Sequence, residues 1–256
     1  QSAAVQLEKT KNGLRPEDIR IAEESVVAAQ NTLQDMKNGG RPEQVAQAQN
    51  NVLSAETILN EANTNYVLTE QQNAQSLASA FENAVLTIDS AQVAVDKVLH
   101  EDLDNLFNAN DGDNLIPVIT DVVLEAQANE SRDVAGARLN SWRLSTATLA
   151  STNHEAVLTA LTTAASELSA QVAFLELTNK TLLDALATPA YPQASVDAAK
   201  AAVNSARATV KTHLSAITTS RQGIESLEIT NQKNLEIARG RIDSAAAQLK
   251  NLQEQL

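Results

Sequence analysis

Apolar residues along this chain recur in alternating steps of three and four. The first run is Ile19, Ala22, Val26, Ala29, Leu33 and Met36, and the second is Val45, Ala48, Val52, Ala55, Leu59 and Ala62, extending to Tyr66. A third closes the chain: Leu235, Ala238, Ile242, Ala245, Leu249, Leu252 and Leu256. This is the heptad spacing of helices that pack along a narrow seam. The middle of the chain keeps the helical period with a wider stripe. It carries Phe81, Val85, Ile88, Val95, Leu99 and Leu106, then Val157, Leu161, Leu168, Val172, Leu175 and Leu182, then Val203, Val210, Leu214 and Ile217. A wide stripe suits a helix with several neighbours, as in a bundle.

The first two seams are copies of one unit. Lys11-Asn12-Gly13-Leu14-Arg15-Pro16-Glu17 returns at an offset of 26 as Lys37-Asn38-Gly39-Gly40-Arg41-Pro42-Glu43. Ala3 and Leu7 suggest a partial earlier copy. In each copy glycine, which accepts the left-handed conformation after a helix C-terminus, is followed by proline, which fits a helix's first turn. Glu17, Asp18 and Glu43 then sit favourably against the helix dipole. Gly13, Arg15, Pro16, Gly39, Gly40, Arg41 and Pro42 are thus the expected structural joints, either tight reversals or kinks.

Breakers set the remaining elements. Residues 1–12 read as the end of a helix, and a helix of about 65 residues runs from Pro42 to Asn108. The next spans about Asn114–Ala150 with Pro117 in its first turn. Ser151-Thr152-Asn153 offers N-caps for a helix over about His154–Leu186. Thr188-Pro189-Ala190-Tyr191-Pro192 breaks the chain, and Ser195 can cap the last helix, Val196–Leu256. The expected fold is all-α: a long antiparallel coiled-coil stalk carrying a four-helix bundle. Residues 1–66 form stalk helices with the tandem repeat, 67–220 the bundle, and 221–256 the returning stalk helix.

Composition agrees with thin cores. Only 2% of residues are aromatic against 43% hydrophobic, so little of the bulk that fills wide cores is present. The formal net charge of −13 argues against nucleic acid and against anionic lipid surfaces, both of which require Lys and Arg. The absence of cysteine excludes disulfides and thiolate metal sites. No stretch approaches the roughly 18 consecutive apolar residues of a membrane span. The first residue is Gln1, and both ends lie within helical periodicity, so a segment of a longer protein is expected.

Candidate chemistry is sparse. Asn108–Asn114 invites a calcium reading, but with Asn108 as position 1, Gly112 falls at 5 and Ile119 at 12, which fails the EF-hand register. His100, His154 and His213 lack the spacing that puts two ligands on one helical face. His100 could form a polar patch with Glu101 and Asp104, or be an ordinary exposed histidine. Trp142, with Arg138 and Arg143 nearby, is either a partner contact or a core residue. Asn129-Glu130-Ser131 and Asn179-Lys180-Thr181 match the short glycosylation sequon, which also arises by chance. Serines and threonines lie along helices without a Gly-rich elbow. The expectation is a non-enzymatic chain without cofactor or metal.

Gly13-Leu14-Arg15-Pro16-Glu17-Asp18-Ile19 and Gly39-Gly40-Arg41-Pro42-Glu43-Gln44-Val45-Ala46-Gln47-Ala48 resemble the helix starts of periplasmic adaptors, or membrane fusion proteins, of the HlyD type. The segment with Asn231, Leu235, Ala238, Ala245 and Leu249 looks like the returning helix of their hairpin. The resemblance covers roughly 1–66 and 222–256. It implies a helical hairpin of an efflux or secretion adaptor, periplasmic or otherwise extracytoplasmic, within a membrane-anchored parent. It further implies an inner-membrane transporter as partner, ring-like homo-oligomerisation and no direct membrane insertion by this segment. The Arg-x3-Leu-x6-Ser pattern of duct-docking adaptors is not found, and residues 67–220 take the place of a simple hairpin tip. Two alternatives remain: an extracytoplasmic four-helix-bundle sensor using Arg138 or Arg143 for a small ligand, and a structural coiled-coil scaffold.

Overall fold

The computed structural model describes residues 16–37, 39, 42–108 and 114–255. Their fold is all-α, interrupted by four two-residue strands. In chain order the elements are α1 (Pro16–Lys37), α2 (Pro42–Lys97), a π-helical turn (Val98–Asp102), β1 (Phe107–Asn108), β2 (Asn114–Leu115), β3 (Val118–Ile119), α3 (Val122–Thr146), α4 (His154–Leu183), β4 (Ala185–Leu186) and α5 (Gln193–Gln253). They divide into two compact units, Gln1–Val67 with Glu236–Leu256, and Leu68–Leu235. The helix expected over 1–12 lies outside the described residues.

In the first unit the heptad positions are covered in part, and Val45 at the start of the second run is exposed. On α2, Ala55 and Ala62 are buried, while Ala48, Val52, Leu59 and Tyr66 are half-buried. On α5, Ala238 and Ala245 are buried, while Ile242, Leu249 and Leu252 are half-buried. Both helices line one shallow groove, with Ala62 and Asn65 on one side and Gly240 and Ala245 on the other. The buried alanines are the most covered positions of the two stripes. The α1 copy differs: Ala22 and Val26 are half-buried, but Ala29 and Leu33 are exposed.

The second unit has a single core drawn from α2, the π turn, the short strands, α3, α4 and α5. Phe81, Ile88, Leu99, Trp142, Leu161, Leu168, Leu175 and Ile217 are fully buried within it. α3 and α4 form an antiparallel hairpin. Arg138 meets Glu167, Gln171 meets the Ala135 carbonyl, and Thr181 meets the Leu124 carbonyl, so the partners run in opposite directions. Asp121 caps α3 by accepting from the Val123 and Leu124 N–H groups, and Asn153 caps α4 by accepting from Ala156. The Asn153 cap lies within the polar connection where N-caps were expected.

Four boundary expectations are corrected. First, α2 does not continue to Asn108. Its end widens into a π turn, in which the Leu103 N–H reaches the Val98 carbonyl. Val98, Leu99, Leu103, Leu106 and Phe107 are all buried there, and the extra residue in the turn brings them inward together. Second, Pro117 is not in a helix but between β2 and β3. Proline biases the residue before it towards extended backbone, and the Leu115 N–H is held by the Asn129 side chain at 2.9 Å. Third, α4 stops at Leu183, because Ala185 and Leu186 pair with Ile119 and Val118. Fourth, Ser195 does not cap α5: the Pro192 carbonyl accepts from Ser195 and Val196, and the helix starts at Gln193.

One cross-helix pair within the second unit is reciprocal. The Asn73 side-chain amide donates to the Asn231 carbonyl at 3.0 Å, and the Asn231 amide donates to the Asn73 carbonyl at 3.1 Å. Two side chains thus bond two backbones that already satisfy their helices, fixing the register of α2 against α5. Asn73→Ala is expected to cost about 1 kcal/mol, the net worth of a part-buried hydrogen bond. The check is a urea titration, and an unchanged midpoint would remove this pair as a register lock.

Candidate functional site

The joint residues are described in part. Gly39 has φ +65°, the left-handed conformation that favours glycine, two residues after α1 ends. Pro16 and Pro42 are the first residues of α1 and α2, where the missing N–H costs no intrahelical bond. Gly13, Arg15, Gly40 and Arg41 lie outside the described residues, as does most of the Asn108–Asn114 loop.

The second unit carries the polar chemistry. Arg138 and Glu167 form a two-pronged ion pair at 2.9 and 3.0 Å between α3 and α4. Arg143 pairs with Asp96 at 3.1 Å, tying α3 to α2, and His100 Nδ1 lies 2.9 Å from the same carboxylate. Trp142 between these arginines is 2% exposed and belongs to the core. His100 therefore turns to Asp96 rather than to Glu101 and Asp104. His154 stacks on Phe81 with ring centroids 3.9 Å apart. The three histidines are not brought together, and no metal-binding cluster occurs among the described residues.

Arg132, which periodicity did not single out, is the most informative interior side chain. It is 6% exposed. Its Nη2 donates to the Leu99 carbonyl at 2.6 Å, and its guanidinium lies 5.5 Å from the Phe107 ring centroid. A π turn interrupts the normal ladder of carbonyl acceptors, and Arg132 satisfies one that it leaves over. The signal in sequence is an arginine within the apolar stripe Ala128-Arg132-Ala135-Leu139, a position otherwise reserved for the core. Gln171 is similar: its Nε2 donates to the Ala135 carbonyl at 3.0 Å, while its buried Oε1 and Trp142 Nε1 have no partner among the described residues.

A small cavity lies where the π turn meets the start of α5, lined by Asp102, Asn105, Tyr191 and Ser195 over a floor of Ala199 and Ala202. Burial raises the Tyr191 pKa, which keeps its hydroxyl protonated. Asp102 is bonded to Lys97 and raises its pKa, so the lysine stays charged near neutrality. The cavity offers hydroxyl and amide groups for hydrogen bonding.

The remaining feature is an exposed apolar face at the α3 and α4 ends. Val118 and Leu186, paired across β3 and β4, are 50% and 51% exposed, whereas Ile119 beside them is buried. Val122, Val123 and Leu183 next to them are more exposed still.

No family model matches the chain, and no curated protein or solved structure is significantly similar to it. No helix among the described residues is long and apolar enough to cross a membrane.

Proposed function

We propose that this chain is a non-enzymatic spacer and protein-contact segment of a periplasmic efflux or secretion adaptor. In this reading residues 1–66 and 221–256 form a coiled-coil stalk, and residues 67–220 are a four-helix bundle that makes contacts. The parent is membrane-anchored, works with an inner-membrane transporter and self-associates. The observation that carries the reading is the alternation of buried alanine with half-buried Val, Leu and Ile on α2 and α5. A two-helix seam has little interior for a binding site, yet it holds a distance well.

The sensor alternative called for Arg138 or Arg143 converging inside the bundle. Both make part-buried interhelical ion pairs, Arg138 with Glu167 and Arg143 with Asp96.

The test is an in-frame excision of residues 16–255 from the parent gene. The expected outcome is a parent that still co-purifies with its transporter but no longer supports export. Export undiminished by excision would overturn the reading.

A further inference from the structure

We propose that the apolar face around Val118 and Leu186 is a docking surface for a positively charged, apolar segment of a second protein. The inference rests on the reading of this chain as a contact element, and it names the surface and the chemistry of its partner.

The face is built from the second unit alone. β3 and β4 pair antiparallel, Val118 opposite Leu186 and Ile119 opposite Ala185. Opposed residues of an antiparallel pair point to one side. Ile119 is 5% exposed and faces the core, so Val118 and Leu186 face outward together. The Thr120 N–H and hydroxyl both donate to the Asp184 carbonyl at 3.3 Å, which sets the start of α3 against the end of α4. Val122 and Val123, 70% and 60% exposed, begin α3, and Leu183, 66% exposed, ends α4. The local fold does not require these residues. Asp121 supplies the N-cap through its side chain, and polar side chains would serve at the first helical positions that Val122 and Val123 occupy. A cluster of exposed aliphatics without a structural reason marks an interaction surface.

Charge selects the occupant. Asp121 and Asp184 are interleaved with the aliphatic residues, Glu125 follows on the next turn of α3, and Lys180 is the cation nearby on α4. Among the described residues Asp184 forms no ion pair. A second copy would bring the same carboxylates and another net charge of −13, and an anionic bilayer would be repelled in the same way. A segment combining aliphatic side chains with Lys or Arg would bury the face and neutralise its rim.

The probes are two fluorescent peptides, one of alternating Leu and Lys and one of alternating Leu and Glu, titrated against the whole chain by anisotropy. The Leu/Lys peptide is expected to bind and the Leu/Glu peptide not to bind. Leu183→Ser with Leu186→Ser should weaken the Leu/Lys complex about tenfold, as two exposed leucines lose the apolar area they would bury. Asp184→Lys should weaken it several-fold, whereas Glu228→Lys, the same charge change at an exposed site on α5, should alter it less than twofold. Equal affinity in the leucine variant, or equal binding of both peptides, would overturn the proposal. So would a dimer in sedimentation that the leucine variant abolishes, or binding of the chain to zwitterionic phosphatidylcholine vesicles through the same leucines. Circular dichroism of each variant separates lost binding from lost folding. If the peptide fails while excision still abolishes export, this surface is wrong and the contact-element reading stands. If excision leaves export intact, that reading fails whatever the peptide does.

Discussion

Trp142→Ala is expected to lower the stability of the second unit by about 3–5 kcal/mol, the usual cost of emptying a large aromatic site in a core. The side chain is fully buried and its indole N–H has no partner among the described residues, so nearly all of the loss is packing. The position also has leverage. Arg138 and Arg143, one turn before and one residue after, pair with Glu167 on α4 and Asp96 on α2. A collapsed indole site would shift the α3 backbone that aims both guanidinium groups. Trp142→Phe keeps an aromatic ring and should cost much less. Urea unfolding followed by far-UV circular dichroism is the check. If the alanine variant unfolds at the same denaturant concentration as the native chain, the core is not built around this residue. An equal loss for phenylalanine and alanine would point to the N–H, which both variants lack, rather than to packing.

Regular apolar spacing carried most of the helical architecture into view from sequence. The stripes on α2, α4 and α5 were readable because each apolar side chain recurs on one face, and those are the faces that are buried. Asn153 was readable because it stands at a polar break before an apolar run, as an N-cap must. What stayed hidden lies at the end of the second unit where chain segments reverse. The run through Leu99, Leu103, Leu106 and Phe107 keeps a helical period although the backbone passes from α-helix to π turn to strand. Apolar periodicity reports which side is buried, not which hydrogen bond is made. Ile116-Pro117-Val118-Ile119 carried the missing clue: two β-branched residues follow a proline that favours extended backbone before it. Arg132 was hidden for a different reason. Its partner is a backbone carbonyl, which leaves no residue-type signature.

The candidate site was less legible than the fold. The Gly-Arg-Pro-Glu joints draw attention because they repeat, and repetition marks where helices begin. The exposed face at Val118 and Leu186 draws none, since aliphatic residues in two separate stretches, 118–123 and 183–186, look unremarkable until β3 and β4 pair. A contact surface assembled from element ends is a property of tertiary structure, whereas a seam is a property of one helix.

Ala245→Leu is expected to destabilise the first unit by about 1–3 kcal/mol, the cost of forcing extra methylenes into a packed contact. Ala245 is only 5% exposed, so little room is left around its methyl group. Ala62, across the groove, is covered in the same way. Leucine there would push the helices apart and uncover Ile242 and Leu249, the half-buried neighbours on the same stripe. Ala246→Leu makes the identical chemical change at an exposed position of the same helix and should stay within about 0.5 kcal/mol. The difference between the two variants isolates close packing from any change in helix propensity, because both positions lie well inside α5. Thermal unfolding by circular dichroism, supported by chymotrypsin resistance near the C-terminal end of α5, reads that difference. A neutral or stabilising Ala245→Leu would mean that the seam has room to spare. A loose seam slides and bends, so the proposal that this unit acts as a fixed spacer would fall with it.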